Sequence, residues 1–283
     1  MKLVRFGPAG GERPGILDQD GRVRDLSEFV SDLEGDVLTR AGLERIGSID
    51  PASLPLVSDG IRLGVPVGRV GKIICVGLNY SDHAAESGME EPDEPILFMK
   101  ATSALCGPND DVVLPHGAEA VDWEIELAII IGDRARNIDA SQSMKHIAGY
   151  AILNDLSERQ WQLERGGQWM KGKSSDTFAP VGPWLVTSDE IEDPQTLAMS
   201  LDLNGERLQN GSSATMIFPV VELVSYISRF MTLEPGDIIS TGTPPGVGLG
   251  QKPPFYLREG DVMELTISRL GRQRQKTVRA VAQ

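Results

Sequence analysis

From Lys72 onward the chain is a succession of short extended-type runs: "KIICVGL", "PILFMK", "DVVLP", "WEIELAIIIG", "GYAILNDLS", "GPWLV", "LAMSLDLNG", "GDIISTG" and "DVMELTI". β-Branched and long aliphatic residues fill them, and Gly, Pro and Asn-Gly turns separate them, which predicts a mainly antiparallel or mixed β-architecture. A doubly wound α/β sheet would need helical segments between most of these strands, and clear helical patterns are few. The two best are "DVLTRAGLERI" and "PVVELVSYISRFM"; in the second, Pro219 is expected at the first helical position, with apolar residues at helical spacing behind it. The expected class is therefore α+β, mainly β, with few helices. Before the punctuation "DPASLP" and "PVGRVG", the strands "KLVRF", "RPGIL" and "RVRDL" are shorter. That change of character predicts a small N-terminal domain over residues 1–67 and a catalytic body over 68–283.

The 283 residues carry 41 acidic and 27 basic side chains, a net charge of −14, which disfavours nucleic acid or an anionic membrane as partner. The basic stretch "RLGRQRQKTVR" alternates with polar and apolar residues and reads as the solvated face of a last hairpin. No run approaches 18 apolar residues, and "MKLVRFGPAGG" lacks the apolar core of a signal peptide. Cys75 and Cys106, the two cysteines, lie in apolar surroundings and are expected as free thiols in a reducing cytoplasm.

Within "WEIELAIII", Glu124 and Glu126 are two apart, so on an extended chain they leave the same face roughly 6 to 7 Å apart at Cα. Asp122 shares their parity, while Ile125, Leu127 and Ile129 occupy the other face. Either that face is wet or something positive lies between the acids, because burying unpaired carboxylates costs several kcal/mol. About thirty residues on, "YAILNDLS" places Asp155 where another apolar run stops. Three carboxylates from two strands suit a hard cation with oxygen ligands, Mg²⁺ or Mn²⁺, and no Cys or His spacing suits zinc.

Three further stretches carry candidate chemistry. In "GLNYSDHAAESG", His83 and Glu86 are three apart, so a helical turn would face them toward each other, as a base and its orienting carboxylate require; a surface histidine is the plainer alternative. "WMKGKSSDTFAPVGP" offers Lys171 and Lys173 for an anion, or is a solvated loop. "STGTPPGVG" either brings backbone close to a ligand or is a tight turn. P-loop, dinucleotide-binding and G-x-S-x-G patterns do not occur.

In this order, "GKIICVGLNYSDHAAE", "PILFMKATSAL", "VDWEIELAIIIG", "NDLSERQWQ", "KGKSSDTFAPVGP", "NGERLQNGSSATMIF" and "LEPGDIISTGTPPGVG" resemble the fumarylacetoacetate hydrolase family from about Lys72 to Thr266. The resemblance implies rolled, layered mixed β-sheets with a small N-terminal domain, and a homodimer or larger homo-oligomer. It implies a metal on Glu124, Glu126 and Asp155 and a His83–Glu86 dyad that activates water. Lys173 is implied beside the metal-bound substrate, with Arg159, Gln162, Thr243 and the weaker candidate Lys171 as substrate contacts. The implied reaction is hydrolysis of the carbon–carbon bond of a 3-acylpyruvate, with block sequence most similar to enzymes of 2,4-dioxo-3-deoxy sugar acids derived from L-fucose or L-rhamnose. Oxaloacetate decarboxylases, oxo-acid isomerases or hydratases and ureidoglycolate lyases share the scaffold. A non-catalytic protein stabilised by a metal is the alternative from another class.

Overall fold

The computed structural model describes residues 1–82 and 90–280. Its strands are β1 (Lys2–Phe6), β2 (Arg13–Leu17), β3 (Val23–Asp25), β4 (Ile73–Gly77), β5 (Ile96–Lys100), β6 (Leu105–Cys106), β7 (Val112–Leu114), β8 (Val121–Asp122) and β9 (Ile125–Ile131). They continue as β10 (Ile147–Asn154), β11 (Ser157–Glu158), β12 (Ala179–Thr187), β13 (Ala198–Leu203), β14 (Glu206–Ser212), β15 (Ile238–Ser240), β16 (Val262–Ile267) and β17 (Gly271–Arg279). The α-helices that lie wholly within the described residues are α1 (Arg40–Gly47), α2 (Arg159–Leu163), α3 (Met170–Lys173) and α4 (Val220–Phe230).

The main sheet runs β3-β2-β1-β12-β10-β9-β15-β4-β5, with β6 pairing β12; a second runs β14-β13-β16-β17-β7. Most pairs are antiparallel, whereas β15/β4, β12/β6 and β17/β7 are parallel, so the sheets are mixed as expected. The N-terminal strands extend the main sheet, because β1 pairs antiparallel with β12 through Lys2↔Val186 and Leu3↔Leu185. The last hairpin is β16–β17, and along β17 Arg272, Arg274 and Lys276 are exposed while Gln273, Gln275 and Thr277 are buried.

Two expectations shift at their edges. Pro219 stands one residue before α4, as its cap, not at its first position. "WEIELAIII" is not one strand: β8 ends at Asp122 and β9 starts at Ile125, because side chains claim the backbone between them. Asp122 accepts from the Trp123 N–H, and Asn154 accepts from the Glu124 N–H at 3.1 Å.

β9 is the strand that positions the site. All seven of its residues are buried, flanked by β10 and β15. Its register with β10 sets Ile125 opposite Asn154 and Glu126 opposite Leu153, and the Asp155 N–H donates to the Glu124 carbonyl. The end of β10 therefore delivers Asp155 beside the start of β9. No helix among the described residues is long and apolar enough to cross a membrane.

Candidate active site

Glu124, Glu126 and Asp155 are buried and each offers one oxygen within 4.8 Å of the others. A solvated acidic strand face is thereby excluded: Glu124 is 6% exposed and Glu126 is 2%. What is positive nearby is supplied partly by the chain itself. Lys173 Nζ lies 2.6 Å from Glu124 and 2.7 Å from Asp155. Arg159 joins Glu124 to Asp122 at 2.7 and 2.8 Å. Lys100, buried at the end of β5, reaches the other oxygen of Asp155 at 2.5 Å and the Leu156 carbonyl at 3.0 Å. The result is an alternating row, Asp122, Arg159, Glu124, Lys173, Asp155, Lys100, in which each charge has an opposite neighbour.

Glu126 stands outside that row. Among the described residues no cation pairs with it; one oxygen accepts instead from the Ser240 hydroxyl and from the Gly242 N–H. Gly242 turns at φ +94°, a conformation that favours glycine and here aims its N–H at the carboxylate. Burial, reinforced by the charges of Asp155 and Glu124, pushes Glu126 well above the usual carboxylate range. Burial acts the same way on Glu124, but Arg159 and Lys173 outweigh it and hold that carboxyl below the ordinary range. Burial would lower Lys173; Asp155 and Glu124 reverse this and keep it protonated.

The three acids thus form an all-oxygen donor set with one charge unmatched by a cation among the described residues. That set fits Mg²⁺ or Mn²⁺, whose preference is for hard carboxylate ligands, and a divalent ion would take the place of the proton that Glu126 otherwise tends to hold.

A cavity of about 550 Å³ opens onto the acids. Arg159, Gln162, Lys173 and Thr243 all line it. α2 supplies two of these: Glu158 caps it by accepting from the Trp161 N–H, and Arg159 donates to Gln162 at 3.1 Å across one turn. Lys171 is not brought to the site; it is absent from the lining and donates to the Arg165 carbonyl at the surface. His83 and Glu86 lie outside the described residues. Immediately before them, Asn79 is fully buried and ties the end of β4 to the Thr241 and Phe218 carbonyls.

The sequence reading missed Lys100, Ser240 and the aromatic wall. Phe98 and Trp169 meet edge to face at 5.3 Å, and Lys173 Nζ lies 5.0 Å from the centre of the Phe98 ring. The signal for Lys100 was a lysine ending the apolar run "PILFMK", which in isolation is indistinguishable from a solvated strand end.

Residues 72–278 match the family model described as fumarylacetoacetate (FAA) hydrolase C-terminal. A Burkholderia multivorans protein provisionally named a hydrolase is 57% identical, with 98% of this chain and 99% of that protein covered. Among solved structures, fumarylacetoacetate hydrolase from Exiguobacterium antarcticum superposes with a TM-score of 0.88 at 37% identity, covering 99% of this chain and all of that one. Maleylpyruvate hydrolase from Sphingobium sp. SYK-6, in complex with manganese(II) and pyruvate, gives 0.82 at 31% identity, covering 99% and 100%. 2-Hydroxyhepta-2,4-diene-1,7-dioate isomerase from Mycobacterium marinum gives 0.75 at 32% identity, covering both chains fully. Hydrolases and isomerases thus share this scaffold, and the chain belongs to the fumarylacetoacetate hydrolase family.

Proposed function

We propose that the protein is a metal-dependent hydrolase that cleaves the carbon–carbon bond of a 3-acylpyruvate, releasing pyruvate and a second acid. The observation that carries this reading is Glu126: a buried carboxylate without a cation partner among the described residues, beside two acids that face the same cavity. Glu124, Glu126 and Asp155 would hold Mg²⁺ or Mn²⁺. Such an ion, when bound, supplies Lewis-acid stabilisation of negative charge on a chelated 2-oxo acid. The manganese and pyruvate of the maleylpyruvate hydrolase, a structural neighbour over the full chain, support both the ion and the product.

The chain's own groups account for the remaining steps. The His83–Glu86 dyad takes a proton from water, and the resulting hydroxide adds to the C4 carbonyl. The C3–C4 bond then breaks, its electron pair goes to C3, and protonation of that carbon gives pyruvate while C4 becomes the carboxyl of the second acid. Two of the three Lys173 N–H groups are used on Glu124 and Asp155, which leaves the third for a substrate oxygen. Its buried positive charge offsets negative charge that develops on the leaving enolate.

The rest of the cavity lining bears on the acyl group. Phe98, Leu163, Trp169, Leu249 and Pro254 contribute to it, with Gln251 and Lys252 among its polar groups. A polyhydroxylated chain would lose hydrogen bonds to water against such a wall, so the lining favours a mostly apolar acyl group over the sugar acids suggested by block sequence.

A second reading, isomerisation or decarboxylation of a related oxo acid, is favoured by the likeness to the Mycobacterium marinum isomerase. The two separate on His83. The test is a turnover screen of 2,4-dioxo acids, oxaloacetate and ureidoglycolate with Mg²⁺ and Mn²⁺, repeated with His83→Ala. Hydrolysis of a dioxo acid is expected to fall at least about a hundredfold, the usual contribution of a positioned base. Loss of CO₂ from oxaloacetate needs no attacking water and should survive. Parental hydrolysis by His83→Ala would remove His83 as the base, whereas no hydrolysis of any dioxo acid by the parent, with oxaloacetate turned over, would move the isomerase or decarboxylase reading ahead.

A further inference from the structure

Ile125 sits between the two glutamates, and one pair of side chains grips both its backbone polar groups. β15 flanks β9 only from Ala128 to Ile130, so at Ile125 no strand on that side completes the ladder. Gln209, fully buried on β14 of the second sheet, accepts from the Ile125 N–H at 3.0 Å. Its amide nitrogen donates to the Thr243 hydroxyl at 2.8 Å and to the Pro244 carbonyl at 2.7 Å. The Thr243 hydroxyl lies 2.8 Å from the Ile125 carbonyl.

Donor and acceptor chemistry fixes the direction of every bond. The Ile125 N–H can only donate and the Pro244 carbonyl can only accept, so the Gln209 amide has one workable orientation. With that amide donating to it, the Thr243 hydroxyl gives its own proton to the Ile125 carbonyl. The proton expected to meet substrate is therefore used inside the protein. Close packing holds the arrangement: a Cβ on Gly246 would meet the Leu208 carbonyl at 1.9 Å, so the loop after Thr243 lies directly on β14.

We infer that Gln209 and Thr243 form a positioning clamp that sets the mutual placement of Glu124 and Glu126, and with it the cation affinity of the site. Thr243 acts through Ile125 and not as a donor to substrate. The inference rests on the reading that these glutamates bind a divalent cation. Groups that orient metal ligands typically change affinity by about 10- to 100-fold when removed.

The test is Mn²⁺ binding, read from the paramagnetic resonance signal of free Mn²⁺ during titration of the full chain, with no substrate present. Thr243→Val, which keeps shape but removes the hydroxyl, is expected to weaken binding at least about tenfold, and Thr243→Ser to restore it. Gln209→Met should weaken binding similarly, and the double variant no further than the worse single, because both act on one peptide unit. If Gln209→Met does not fold, the Val and Ser pair still decides the matter. Parental affinity in Thr243→Val, with binding lost in Glu124→Gln, would overturn the clamp and leave the ligand assignment standing. Parental affinity in Glu124→Gln as well would overturn both.

Discussion

Two rows of alternating charge run through this molecule, and they differ in one respect. Near the N-terminus Asp32, Arg5, Glu12, Arg62 and Asp110 follow one another in ion pairs, with Arg5–Asp32 at 2.6 Å and Arg62–Asp110 at 2.6 Å. At the site the row is Asp122, Arg159, Glu124, Lys173, Asp155 and Lys100, with Glu126 beside it. Each group holds one more carboxylate than it has cations among the described residues. The N-terminal side chains are 10–30% exposed, so water accommodates the surplus there. At the site exposure is 8% or less for the paired side chains, so solvent screens the surplus far less. The same imbalance that is inert where solvent reaches it becomes, among buried side chains, a demand for a proton or a cation.

The largest expected effect breaks the equivalence of the two rows outright. Asp155→Asn or Glu124→Gln removes charge but little volume, so the far-UV circular dichroism should be unchanged. Turnover should fall by about a thousandfold or more, given that metal stabilisation of transition-state charge is worth several kcal/mol at about 1.4 kcal/mol per tenfold. Asp32→Asn, the matching change in the surface row, should leave turnover at the parental level. Undiminished turnover in Glu124→Gln at low Mn²⁺ would remove Glu124 from the ligand set.

A second measurement sharpens the comparison through pH. Glu126 is raised above the ordinary glutamate value of 4.5 by burial and by Asp155 and Glu124. Below about pH 4.5 the group is protonated whether the chain is folded or not, and it costs nothing. As pH rises from there toward the raised folded value, the unfolded chain releases the proton first, and stability is lost at up to about 1.4 kcal/mol per pH unit. With chelator present, the stability of the parent relative to Glu126→Gln should therefore decline as pH rises above 4.5. Mn²⁺ should cancel the decline, so its stabilising effect on the parent should grow with pH. A difference between parent and Glu126→Gln that stays flat from pH 5 to 8 would show that Glu126 meets a protein cation after all.

How much of this was legible in the sequence follows from the range of the forces. Glu124 and Glu126 could be read because a period of two is a local property, and Asp155 because an apolar run visibly stops there. The cations could not all be read. Arg159 and Lys173 were reached through family resemblance, and Lys100 not at all, since its partner lies 55 positions away in sequence. Gln209 was hidden in the same way: "NGERLQNG" looks like an exposed hairpin until β14 is laid against the Thr243 loop. The break between β8 and β9 was likewise invisible, because side chains of Asp122 and Asn154 replace the ladder there. Periodicity records which face a residue takes, and only the folded chain records what that face meets.

The smallest effect completes the comparison from its inert side. In Asp32→Asn the Arg5 guanidinium loses a paired carboxylate that accepts at 2.6 and 2.9 Å, but the pair is 15% and 20% exposed, so solvent screens it and replaces part of what is lost. A bidentate, partly exposed pair stands at the upper end of what surface pairs contribute, about 1 kcal/mol, which in a chain of this size corresponds to a fall in Tm of about 2 to 4 °C. The effect should shrink further in 1 M salt, where the screening length is about 3 Å. It should also be independent of Mn²⁺, in contrast to every substitution at the site. A Tm loss in Asp32→Asn that is large, salt-insensitive and metal-dependent would mean that the N-terminal row is coupled to the cavity. The contrast between a part-exposed and a buried surplus of charge would then no longer separate the two rows.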